Sequence, residues 1–221
     1  MPGGLETIDI LFAPTGPDRC WLHRIWRDKM RHPQFVHLVT MALLLAASSV
    51  GFPVVAMATE QAVRPEKNPP GDIPDDQVFI TYSSPEGFSL KVPEGWSRTD
   101  LPHGARFSDK YNTIQVTVAL TSSQPDAMGE GAQEADEMRK SAAAVVINSV
   151  RDVKLEGGPA VAIVYKRNSE ANAVTNKKIR LEAERYLVFG HGKLVTLDMT
   201  APAGADNADQ WRLMSNSVRL K

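Results

Sequence analysis

The chain has 221 residues, 43% of them apolar and 23% charged, with 25 Lys+Arg against 26 Asp+Glu. That composition is globular rather than disordered, and the balanced charge argues against nucleic-acid binding, which needs a basic excess. The single cysteine, Cys20, excludes an internal disulfide and a thiolate-rich zinc site.

Residues 1–58 read as an export signal. Arg24, Arg27, Lys29 and Arg31 precede an apolar run from Phe35 to Val50, and Gly51, Phe52 and Pro53 break it before Ala56-Met57-Ala58. A basic region, an apolar region and a small-x-small site in that order predict cleavage after Ala58 and a periplasmic or extracellular destination. An uncleaved anchor is the alternative, since Phe35–Ala58 is long enough to cross a bilayer and would leave the domain membrane-tethered. Cys20 lies before the apolar run, where no lipid anchor would attach.

Residues 59–76 hold Pro65, Pro69, Pro70 and Pro74 among charged side chains. Proline removes backbone donors and the charges favour water, so a flexible tether is expected there. From Gln77 onward the pattern is strand-like. Val78–Ser83 is β-rich, and Pro85-Glu86-Gly87 is a turn. Phe88, Leu90 and Val92 alternate with Ser89 and Lys91. Ala105–Ser108 is a weaker strand, and Thr113–Leu120 is the clearest one, with Ile114, Val116, Val118 and Leu120 on one face.

Residues 123–144 switch to helical spacing through Met128, Ala132, Ala135, Met138, Ala142 and, just beyond, Val145, with Asp126 as the expected N-cap. Strands follow at Val150–Leu155, Ala160–Lys166, Ile179–Phe189 and Leu194–Thr200. A tight turn at His191-Gly192 sets the last pair in a register that places Phe189 opposite Leu194, Leu187 opposite Thr196, and Arg185 opposite Asp198. Both faces of that hairpin are apolar, so both should be covered. Asp206 or Asn207 caps a final helix with Ala208, Trp211 and Met214 on one stripe, and Val218–Lys221 forms a closing strand.

Chemistry-bearing residues are sparse. His103 and His191 each precede a glycine in an expected turn and lack the spacing of a metal pair. Asp206, Asn207 and Asp209 lack the glycine and distal glutamate of a calcium loop, and helix capping explains them better. No G-x-S-x-G elbow occurs, and Gly157-Gly158 precedes a strand rather than a helix, so it is a hairpin turn and not a phosphate cradle. The residues thus point to no cofactor, no metal and no catalytic site. Lys177, Lys178 and Arg180 are the best surface candidate for an acidic partner, although Glu182 and Glu184 continue their alternation. Trp96 closes Pro93-Glu94-Gly95-Trp96, where it packs into the core or walls a small-ligand pocket.

The segment Tyr82-Ser83-Ser84-Pro85-Glu86-Gly87-Phe88-Ser89-Leu90-Lys91-Val92-Pro93-Glu94-Gly95-Trp96 resembles the opening of PsbP-like domains, a "GF" strand followed by "P-x-G-W". Trp211 through Ser217-Val218-Arg219 is similar to that family's closing helix and final strand, with Val218 standing where an aromatic is expected. The resemblance covers residues 77–221. It implies an α+β fold, a central antiparallel sheet with helices on both faces in an αβα sandwich. The family includes the extrinsic photosystem II subunit and exported bacterial proteins, mostly non-enzymatic binding or assembly factors. The resulting expectation is an exported, non-catalytic module that docks onto an envelope or membrane-associated protein complex. The alternative is a small-ligand or ion-binding domain with its pocket near Trp96.

Overall fold

A computed structural model describes residues 60–141 and 143–221. The signal region, its cleavage site and Ala142 of the expected helical stripe lie outside the described residues. The fold is mostly antiparallel sheet with two short helices.

The elements are β1 (Phe79–Ser84), β2 (Phe88–Pro93), β3 (Ser97–Leu101), β4 (Gly104–Ser108), β5 (Thr113–Leu120), α1 (Glu130–Arg139), β6 (Val146–Leu155), β7 (Gly158–Asn168), β8 (Arg180–Gly190), β9 (Lys193–Pro202), α2 (Ala208–Asn216) and β10 (Arg219–Leu220). Seven strands pair in the order β3-β4-β5-β9-β8-β7-β6, and three form a small sheet, β1-β2-β10. Every pairing is antiparallel. Short turns set this arrangement for β1–β2, β3–β4, β6–β7 and β8–β9, because a parallel partner would need a long crossover.

The β8–β9 hairpin has the register expected from its turn, including Arg185 opposite Asp198 and Val188 opposite Val195. His191 (φ 52°) and Gly192 (φ 70°) are both left-handed, the geometry that matches strand twist in a two-residue turn. Alternation along β7 sends Ala160 and Ala162 into one apolar cluster and Val161, Ile163 and Tyr165 into another, so the clusters lie on opposite faces of the large sheet. The larger cluster joins Leu197 and Met199 to Phe88, Leu90, Trp211 and Met214. Met138 of α1 packs against the smaller one.

Four expectations change. The first helix spans ten residues, with Gly129 rather than Asp126 at its N-cap. Asp126 instead accepts hydrogen bonds from the N–H groups of Met128 (3.0 Å) and Gly129 (2.8 Å), which makes a turn before the helix and leaves Met128 exposed. In α2 the stripe shifts: Ala208 is exposed, while Gln210, Trp211, Met214 and Ser215 are buried. β3 was not expected, because its residues are almost all exposed and show no apolar alternation. Finally, residues 60–76 contain no helix or strand, yet they are bound along the domain. Glu60 Oε2 lies 2.6 Å from Lys178 Nζ, and Val63 N–H donates to Asn168 Oδ1 at 3.0 Å. Ile73 is buried, and its N–H donates to Asn207 Oδ1 at 2.7 Å. A side-chain amide can satisfy an extended backbone as a neighbouring strand would, so this proline-rich stretch is held without joining a sheet.

Candidate functional site: a polar row across the large sheet

Strand pairing aligns one residue from each of five strands on a single face: Arg106 (β4), Gln115 (β5), Asp198 (β9), Arg185 (β8) and Ile163 (β7). The row is polar up to β8 and apolar from β7. The helix follows the apolar half, because α1 contacts β6 and β7. The polar half borders a groove of about 470 Å³.

Arg185 is the hub of the row. Its Nε donates to Asp198 Oδ2 at 2.6 Å, and its Nη1 donates to Glu134 of α1. The Tyr165 hydroxyl donates to the same aspartate, 2.9 Å from Oδ2. Both the Arg185 and Asp198 side chains are largely buried. Burial opposes the Arg185 charge, but Asp198, Tyr165 and Glu134 outweigh it and hold its pKa above the ordinary value. Burial first, and then the Asp198 carboxylate, push the Tyr165 phenol well above its usual range. Further along the row, Arg106 is exposed and donates through Nη2 to Gln115 Oε1 at 2.7 Å. Arg167 is half-buried on the groove wall, with no hydrogen bond or ion pair among the described residues. The centre of the row is therefore a pre-paired set of charges, and its outer end presents Arg106, exposed and hydrogen-bonded to Gln115, to the groove.

The other candidates fall elsewhere. Lys177, Lys178 and Arg180 do not make a shared basic surface. Lys178 is paired with Glu60, and Arg180 is buried, donating to Ala144 O (2.9 Å) and Asn168 Oδ1 (3.0 Å). Only Lys177 faces solvent fully. Strand alternation gave the wrong sense here, because β8 starts at Arg180 and its first side chain turns inward. Trp96 is half-buried against the larger cluster and walls a groove of about 340 Å³ with Tyr82, Arg98 and Phe107. His103 and His191 are exposed, left-handed turn residues, and His103 Nδ1 lies 3.5 Å from Glu86 Oε1.

No protein-family model matches the chain, and no curated protein matches it. Among solved structures, cyanobacterial PsbP from Synechocystis sp. PCC 6803 is similar with a TM-score of 0.50 at 15% identity, covering 68% of this chain and 98% of that one. A Bacteroides thetaiotaomicron protein aligns with a TM-score of 0.43 at 12% identity, over 64% of this chain and 48% of that one. The first likeness shows a PsbP-like fold.

Proposed function

We propose that this chain is an exported, non-catalytic binding or assembly module. It docks onto an envelope or membrane-associated protein complex, and the polar row is its docking face. The observation that carries this reading is the division of one sheet face. Its apolar half is covered by α1, while Arg106, Gln115 and their neighbours border an open groove. Paired charges held at fixed spacing favour one partner over others and set its register. In this reading the fold is the αβα sandwich expected from the sequence, and the signal region delivers it beyond the cytoplasmic membrane.

The second reading, a small-ligand or ion-binding domain, draws on the groove beside Trp96. The two separate in one experiment. The tagged chain serves as bait in a pull-down from detergent-solubilised native envelope, read by mass spectrometry. A reproducible, near-stoichiometric protein supports docking. An empty pull-down at low salt, together with calorimetric heat from a small solute that Trp96→Ala abolishes, supports the ligand reading instead.

A further inference from the structure

Three arginines among the described residues are not exposed, and two of them are fully engaged. Arg180 donates to Ala144 O and Asn168 Oδ1, and Arg185 donates to Asp198 and Glu134. Arg167 is the third. It sits near the end of β7, half-buried on the groove wall, with no hydrogen bond or ion pair among the described residues. A guanidinium partly withdrawn from water and lacking a counter-charge costs the fold stability.

Arg106 borders the same groove and meets only the neutral amide of Gln115. Two carboxylates also line it. Asp198 is committed to Arg185 and Tyr165, while Glu170 is exposed and makes no ion pair among the described residues. Two cations without a counter-charge against one exposed carboxylate make the groove complementary to negative charge.

Spacing says what form that charge takes. β5, β9 and β8 lie between the strands of Arg106 and Arg167, and four steps of about 4.8 Å separate their backbones by roughly 19 Å. Arg167 also lies beyond Ile163, which shares the row of Arg106, by about 13 Å along the strand. The diagonal of roughly 23 Å is too long for one small anion and is covered by about seven extended residues. Between the two arginines lie Thr113, Gln115 and the Arg185–Asp198 pair, which is neutral as a unit. The middle of the groove therefore suits uncharged polar groups. A nucleic acid or other dense polyanion would set a charge over Asp198, and the chain's net charge of −1 gives it no general attraction.

We propose, on the docking reading of the polar row, that the groove receives an extended, sparsely acidic segment of the partner protein. One carboxylate of that segment pairs with Arg167 and another with Arg106, and uncharged residues cross the sheet between them.

The probe is a synthetic peptide with glutamates about six positions apart, joined by glycine and serine. It is titrated to millimolar concentration into the isotopically labelled full chain, and arginine Nε–H resonances are followed by NMR. Those of Arg167 and Arg106 should shift and saturate, while the same peptide with glutamines leaves them in place. Arg167→Gln and Arg106→Gln should each weaken the affinity about tenfold, and Lys154→Gln on β6 should not. Arg167→Met, which keeps the apolar stem, should hold or raise the urea midpoint of the unbound chain. A lower midpoint would show the cation satisfied within the fold and overturn the proposal. So would equal shifts with the glutamine peptide, unchanged affinity in both arginine variants, or tighter binding of a single-stranded oligonucleotide. The two peptides decide even if a variant fails to fold. An envelope partner that Arg167→Gln still recovers leaves docking standing and sinks the acidic segment. Peptide binding through both arginines with no envelope partner recovered sinks docking alone.

Discussion

At the scale of single residues, Arg185 shows why a buried charge needs more than one neighbour. Its pair with Asp198 sits on a sheet face, and Tyr165 and Glu134 complete the shell. Arg185→Met alone leaves Asp198 buried without its cation and should cost about 2–4 kcal/mol, read as a shift in urea midpoint. Adding Asp198→Asn removes the stranded charge while still offering Tyr165 an acceptor. The double variant should therefore lie clearly closer to wild type than the sum of the two single changes. The tyrosine adds a pH signature. Its folded pKa is raised by burial and by Asp198, so the folded state keeps a proton that the unfolded chain releases. Stability is complete below the ordinary tyrosine pKa of about 10 and is lost as pH rises beyond it. Tyr186 acts in the same direction, through burial and then Glu184. Urea unfolding between about pH 9 and pH 11 should show this loss, and Tyr165→Phe should make it shallower.

At the scale of elements, legibility followed locality. β2 and β5 keep the expected apolar positions Phe88, Leu90, Val92, Ile114 and Val116 buried, because one apolar face is written into each, but Ser89 is buried as well and Leu120, at the end of β5, is 85% exposed. The β8–β9 register was legible because a two-residue turn determines it. α1 is shorter than its periodicity suggested. Gly131 sits where a Cβ would lie 2.7 Å from Val161 Cγ1, so the helix start is shaped by close approach to β7 and not by helix propensity. β3 carries no apolar alternation to read. Of the candidate site, Arg185 and Asp198 were legible through that hairpin. Arg106 and Gln115 were not, because only the β5–β9 pairing, between strands far apart in sequence, brings them into line with Asp198. The turn itself is improvable: His191 adopts a left-handed conformation that asparagine tolerates better. His191→Asn should raise stability by about 0.5 kcal/mol and His191→Val should lower it by about 1 kcal/mol, with unchanged denaturant slope.

At the scale of the whole molecule, the large sheet separates two apolar clusters, and residues 60–76 are bound along the domain through Asn168 and Asn207. Those two amides explain why the proline-rich stretch read as a tether: proline content reports the absence of regular structure and says nothing of side chains distant in sequence that can hold it. The same logic governs the docking reading, which depends on a surface assembled from four strands. The most direct test quantifies the envelope partner recovered by the wild-type chain, by Arg106→Glu at the open end of the polar row, and by Lys154→Glu on the far edge strand. The account predicts that Arg106→Glu loses most of the partner while Lys154→Glu retains it, with both variants folded by circular dichroism. Equal recovery by the two variants, or no partner for the wild-type chain, would contradict it.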